Sequence, residues 1–367
     1  MTGKLARLAV PAIVVELLIG FLLGNSVLPY EAIAPLSGLT ELGVLALFFQ
    51  VGLEVRGDLL ASRRATVLRL VGLSLIGPLL GYWPLVHGLG MAPAAAVLCL
   101  ACTAATGTGV TLRLLAQRQA IHTPSGRLLV AVSVLDDLPA IGLLSLAVAM
   151  AGSRMAGAGH HHGLAPVLGL LAAALSDRLA RWWRQQGQPA PNSPLAVLIL
   201  LVACAWAGEI SGLTSLLGAL WGGVLLNRLS DQPPQVGGML MLISDVFLPL
   251  YFISVGLRVQ AGDLLNPQAW GLSLVLLALG IASKLVCGLG ISRRDRQSGV
   301  DPWVVIYGLI PRGLPGLVFA TTALTAGVIN PQQFSAVVVM VTITTVIGLL
   351  LLERRLLQPR PDPNALI

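Results

Sequence analysis

The sequence predicts an all-α polytopic membrane protein of about twelve transmembrane helices. Three observations carry that prediction. Of 367 residues, 56% are hydrophobic and only 11% charged, where a soluble domain carries about 25% charged residues. Apolar stretches approaching the roughly 20 residues that a spanning helix needs recur along nearly the whole chain. Lysine and arginine collect in every second connection between them. The 41 glycines and 23 prolines fit the same class, because both residues are tolerated in membrane helices.

In chain order the expected spans are 7–28, 37–55, 65–86, 92–116, 125–151, 163–183, 193–210, 212–228, 237–256, 268–291, 302–326 and 333–353. The sixth is the least regular, since Asp177, Arg178 and Arg181 interrupt its end. With this division, 18 Lys and Arg fall on one side of the membrane, among them Lys4, Arg56, Arg118, Arg178, Arg293 and Arg354. Only Arg154 and Arg258 fall on the other. A missed or extra span in mid-chain would destroy that bias, so an even number of crossings with both termini cytoplasmic is expected. The net charge of +7 follows from the same asymmetry and does not point to nucleic acid. The connections are short, so no soluble domain is expected, and Met1-Thr-Gly-Lys-Leu-Ala-Arg7 enters the first span without a typical cleavage site.

Two spans are expected to be broken. The fourth contains Thr103-Ala-Ala-Thr-Gly-Thr-Gly109, in which poor helix formers meet at mid-membrane. The eleventh contains Ile310-Pro-Arg-Gly-Leu-Pro-Gly316, where prolines remove helix hydrogen bonds and glycines permit unwinding. If residues 1–151 and 212–353 form two five-helix units, both breaks occupy fourth place. Paired interruptions in corresponding halves point to a transporter binding site.

The charges inside the apolar spans supply the chemistry. Asp136 and Asp137 sit in the middle of span 125–151. A carboxylate in hydrocarbon costs several kcal/mol, roughly 2.5–3.5 on insertion scales. Two adjacent ones repel, so at least one should be protonated or hold a cationic partner. Lys284, well inside span ten, is the obvious partner. Ser133 lies three and four residues before the two aspartates and shares a helix face with both. Pro139 can free a carbonyl nearby. Carboxylate, hydroxyl and carbonyl oxygens are hard ligands, suited to sodium or lithium. Arg312, in the second break, fits the neutralisation of a half-helix end better than ion coordination. Glu16 fits a structural hydrogen bond, and Asp245 carries no assigned role. His160, His161 and His162 read as a solvated glycine-flanked loop. Cys99 and Cys102 form a CxxC with no second pair or nearby histidine to complete a zinc set.

Together these residues resemble the second branch of the monovalent cation:proton antiporters, the bacterial electrogenic sodium/proton antiporters. The likeness runs through Pro11 to Gly24, Leu42 to Glu54, Thr106-Gly-Thr-Gly-Val-Thr111, Leu135-Asp-Asp137, Gly212 to Gly223, Tyr251-Phe-Ile-Ser-Val-Gly-Leu257, Lys284 and Pro311-Arg-Gly313. Single motifs are weak; their shared order and spacing are strong. The resemblance implies the sodium/proton antiporter fold, with two inverted-topology repeats whose broken helices cross beside the aspartates. It implies core, ion-transporting helices over 65–151 and 268–353, and dimerisation helices over 7–55 and 193–256. It implies that Asp137 is the main cation/proton carboxylate and that Asp136 pairs with Lys284. Thr106 and Thr108 offer hydroxyls at the first break. Three departures stand out. Relatives usually carry one more helix before the Pro11 segment, usually place an acidic residue where this chain has Leu314, and often carry an acid at the first break.

The expected activity is electrogenic secondary antiport of protons against sodium or lithium by elevator-type alternating access at the Asp136–Asp137 pair, in a homodimer of a bacterial inner membrane, with no cofactor and no enzymatic reaction. Electroneutral or potassium-selective exchange is the alternative. A passive channel is more distant, as is an intramembrane aspartyl protease, whose two aspartates must face each other across a cleft.

Overall fold

The computed structural model describes residues 12–54, 64–155, 175–186, 193–210, 215–229 and 237–358, apart from positions 108–109, 112–113, 116–117, 122, 177, 179, 181 and 183. Most of the expected span 163–183, and His160 to His162, lie outside the described residues, as does Thr108. The described residues are helical, without strands. The principal helices are α1 (Ala12–Gly24), α2 (Ser37–Glu54), α3 (Arg64–Leu79), α4 (Pro93–Ala104), α5 (Pro124–Met155) and α6 (Pro194–Ile210). They continue with α7 (Ser215–Leu229), α8 (Gly237–Leu257), α9 (Pro267–Cys287), α10 (Pro302–Leu309), α11 (Gly313–Thr325) and α12 (Pro331–Leu357).

Among the described residues, seven stretches are long and apolar enough to cross a membrane: 30–50, 64–88, 124–151, 238–257, 267–290, 302–325 and 331–357. Helices α1, α4 and α6 are shorter and equally apolar. Prolines mark several starts, where a missing N–H costs nothing. Asn266, Asp301 and Asn330 cap α9, α10 and α12 by accepting from backbone N–H groups of the first turn.

The helices pack as two groups. In one, α7 and α8 lie on α2, α1 lies on α8, and α6 on α7. In the other, α9 packs on α3 and α12, α5 on α3, α4 and α10, and α11 on α4 and α12. At the crossing of α2 with α7 the backbones touch: a Cβ on Gly52 would lie 3.0 Å from Gly223 Cα, and one on Gly223 would lie 2.9 Å from Leu53 N. Small residues permit this approach, which drives helix association in lipid. Polar side chains also link the two groups. Tyr251 of α8 donates to Thr321 Oγ1 of α11 at 3.1 Å. Arg258, stacked 3.9 Å over the Tyr30 ring, donates to Thr325 Oγ1 at 3.3 Å. At the opposite end of the second group, Arg355 pairs with Asp301 at 2.8 Å, and Arg118 pairs with Glu353.

Both expected breaks are present and narrower than the sequence suggests. Thr103 remains in α4, its hydroxyl donating to Leu100 O at 2.9 Å. The first break starts at Ala105. The second comprises Ile310 to Arg312; Pro315 and Gly316 belong to α11. Pro315 stands in the first turn of that helix, where proline is tolerated. The segment 302–325 is almost entirely buried, so the second broken helix runs through the centre of the molecule.

The α2–α7 contact predicts a clear contrast. Gly223→Val lowers stability by about 1–3 kcal/mol through overpacking. Gly142→Ala, in an exposed helix interior where a Cβ meets nothing within 4 Å, leaves it unchanged or raises it by up to about 1 kcal/mol. Thermal unfolding of the purified protein in detergent measures both.

Candidate ion-exchange site

Asp136 and Asp137 lie midway along α5 and are 1% and 2% exposed. Lys284, three residues from the end of α9, is fully buried, and its Nζ lies 2.5 Å from Asp136 Oδ2. The ammonium also faces Ser74 Oγ of α3, Ala104 O at 2.8 Å and Thr106 Oγ1 at 3.2 Å, so with Asp136 its three N–H groups serve four acceptors and one is shared. Asp136 Oδ2 accepts from Ser74 Oγ at 2.9 Å and Thr106 Oγ1 at 2.7 Å in addition to the lysine. Its other oxygen, Oδ1, is buried without a hydrogen-bond partner.

Thr106, in the first break, touches both acids. Its hydroxyl donates to Asp136, and its backbone N–H donates to Asp137 Oδ1 at 3.2 Å. A continuous helix would spend that N–H on the carbonyl four residues earlier. The break therefore redirects a backbone donor to a carboxylate. Ser133 is buried one turn before the aspartates and donates to Val130 O at 3.2 Å.

Two cations close the C-terminal end of α4, where helix carbonyls lack intrahelical partners and carry partial negative charge. Lys284 takes Ala104 O, and Arg312 Nη1 takes Ala105 O at 2.8 Å. Arg312 Nη2 reaches Gly280 O of α9 at 2.5 Å, while Nε has no partner. Arg312 is thus engaged by carbonyls. The breaks meet directly: Gly107 N donates to Pro311 O at 2.5 Å. A Cβ on Gly107 would lie 3.0 Å from Gly313 N, and Gly313 has a φ of +49°, which favours glycine. Gly313 N donates to Thr345 Oγ1 of α12 at 3.1 Å, and Thr111 Oγ1 donates to Gly308 O at 3.0 Å.

The structure brings Asp136, Asp137, Lys284 and Thr106 into one cluster and sets Arg312 beside it. Sequence reasoning does not identify Ser74, Gly280, Thr345 or the Ala104 carbonyl. Ser74 has a faint signal as the single hydroxyl in Leu70 to Leu79; a backbone carbonyl has none. Cys99 and Cys102 are buried free thiols, the latter 3.5 Å from Gly316 O. Asp245 is exposed on α8.

Residues 1–353 match the family described as "Sodium/hydrogen exchanger, transmembrane". The chain belongs to this exchanger family. It is 26% identical to the Na(+)/H(+)-K(+) antiporter GerN of Bacillus cereus, covering 95% of this chain and 90% of GerN. It is 27% identical to Cation/H(+) antiporter 18 of Arabidopsis thaliana over 92% of this chain, but spans only 45% of that longer plant protein. Its fold is similar to that of the sodium proton antiporter MjNhaP1 from Methanocaldococcus jannaschii, with a TM-score of 0.64, 19% identity, and coverage of 95% and 91% of the two chains. This exchanger-family chain is therefore a multi-pass helical membrane protein with a cation:proton antiporter fold.

Removing one member of a buried ion pair strands the other. Lys284→Met should destabilise the protein by about 3–5 kcal/mol in cation-free buffer. The double variant Lys284→Met/Asp136→Asn should recover part of that loss. Equal loss in both variants, read by thermal unfolding in detergent, contradicts the energetic importance of the pair.

Proposed function

We propose that this protein is a secondary active antiporter that exchanges protons for sodium or lithium, with net charge movement in each cycle. The observation that carries this reading is a buried lysine paired to one of two adjacent carboxylates at the meeting of two broken helices. The carboxylate oxygens, the Thr106 hydroxyl and the local carbonyls are hard donors suited to a small monovalent cation. Burial makes simultaneous occupancy costly: a cation and a full set of protons on one cluster would leave uncompensated positive charge in a low-dielectric interior.

The cycle follows from charge balance. With Lys284 on Asp136 and a proton on Asp137, these three groups carry no net charge, and Arg312 lies beside them engaged by carbonyls. A sodium ion that takes Asp137 and displaces Lys284 from Asp136 brings one positive charge. Loss of the Asp137 proton and the lysine proton as sodium enters gives two protons per sodium, and hence net charge transfer. Competition between proton and cation for the same groups couples the fluxes and makes exchange steeply pH-dependent.

In this reading the helices within 65–151 and 268–353 move as the ion-carrying unit against those within 7–55 and 193–256. The Tyr251–Thr321 hydrogen bond spans these units, and Arg258, just past residue 256, links Tyr30 of the one to Thr325 of the other; such a movement would exchange these contacts each cycle. The protein acts as a homodimer in a bacterial inner membrane with both termini in the cytoplasm. Potassium enters as a second candidate cation because the relative GerN carries potassium in its name.

A sodium concentration jump on proteoliposomes, with current and internal pH recorded, tests the proposal. Wild type gives a transient current with a pH change. Asp137→Asn loses both. Lys284→Gln keeps proton exchange and loses the current. A sodium-driven pH change without current in wild type makes the exchange electroneutral. No response to sodium, lithium or potassium overturns antiport.

A further inference from the structure

Ser74 is fully buried in the middle of α3. A serine inside a helix commonly donates to the carbonyl four residues earlier, which is Leu70 O here. That carbonyl instead faces the Cys287 thiol at 3.7 Å. Ser74 Oγ turns to the ion pair, donating to Asp136 Oδ2 at 2.9 Å and accepting from Lys284 Nζ. A hydroxyl has one proton and two acceptor lone pairs. With the proton on Asp136, its lone pairs face the ammonium, so one oxygen serves both charges with the correct polarity.

The backbone is arranged for this contact. Gly77 lies one turn along α3, and a Cβ there would come within 2.8 Å of Ser283 Cβ on α9. The absent side chain lets α3 approach α9 closely enough for a residue as short as serine to reach Lys284. Thr106 also bridges the pair, but it holds Asp137 through its backbone as well. Ser74 has no link to Asp137; besides the Lys284–Asp136 pair it faces only the Cys287 thiol among the ionisable groups around it.

We propose that Ser74 is a positioning residue of the exchange site: its hydroxyl holds Lys284 on Asp136 and so sets the pH at which an incoming cation gains that carboxylate. This rests on the antiport reading above and deepens it. Alanine at position 74 removes an acceptor from the ammonium and a donor from the carboxylate, so the charged pair is weakened from both sides. Of the other ionisable groups nearby, Asp137 follows on α5, Cys287 lies one turn beyond Lys284 on α9, and Cys102 on α4 neighbours Arg312. Arg312 is held by the Ala105 and Gly280 carbonyls. From α3 no ionisable residue occurs between Arg69 and the end of the helix.

The test is proton exchange driven by sodium, lithium or potassium across a pH series, using the full-length protein in proteoliposomes. Wild type is compared with Ser74→Ala, Ser74→Thr and Asp137→Asn. In Ser74→Ala the pH of half-maximal exchange falls by about one unit, the scale of one charge-assisted hydrogen bond. Ser74→Thr, which keeps the hydroxyl, restores at least half of that shift. An unmoved midpoint in Ser74→Ala overturns the proposal, as does an equal displacement in Ser74→Thr, which would trace the effect to packing. If Ser74→Ala is inactive, a wild-type midpoint in Ser74→Thr supports the hydroxyl requirement, and an inactive Ser74→Thr overturns it. Wild-type exchange that is lost in Asp137→Asn but unmoved in Ser74→Ala removes only the role of Ser74. Wild type without exchange removes the antiport reading and this proposal together.

Discussion

The structure is organised around keeping the Lys284 ammonium and the Asp136 carboxylate, 0% and 1% exposed, 2.5 Å apart inside a protein built of apolar helices. Desolvating two such ions costs several kcal/mol each, and their attraction compensates only with good geometry and further hydrogen bonds. Four helical elements meet in this arrangement, two supplying the ions and two the further bonds. Ser74 belongs to α3, Thr106 and the Ala104 carbonyl to the first broken helix, the carboxylate to α5 and the ammonium to α9. Moving any one of these helices alone would leave an ion short of partners.

The broken helices answer the same constraint. An intact α4 would consume the Thr106 N–H and the terminal carbonyls internally. Ending it at Ala104 releases carbonyls for Lys284 and Arg312 and a donor for Asp137. Glycine at 107 and at 313 lets the two interruptions meet backbone to backbone, so Arg312 of one break caps the half-helix of the other. The second break is seated in turn by Thr345 of α12. The charges and the irregular backbone are thus mutually dependent: polar backbone freed at membrane depth must be satisfied, and buried charge supplies part of that satisfaction.

Much of this is legible in the sequence for a physical reason. Asp136, Asp137 and Lys284 stand out because ionised groups are expensive in apolar runs, and the two breaks because proline and glycine disrupt helices. Most long apolar stretches coincide with helices for equally direct reasons of length. The edges of the breaks are less legible: Thr103 stays helical through a local side-chain bond, and Pro315 is accommodated in the first turn of α11. Ser74 is hidden because one serine among apolar residues usually satisfies itself on its own helix, and only the approach of α9 at Gly77 gives it other partners. The Ala104 and Gly280 carbonyls have no sequence signature, since every residue carries one. The pairing of Lys284 with Asp136 depends on three-dimensional proximity, which the sequence supplies only as the need for a partner.

The account stands on one cluster holding either a cation or protons. The most direct test is the number of protons released when sodium binds the purified protein in weakly buffered detergent solution. The account predicts acidification on sodium addition that saturates with binding and is absent in Asp137→Asn. Sodium binding without proton release at any pH would contradict it.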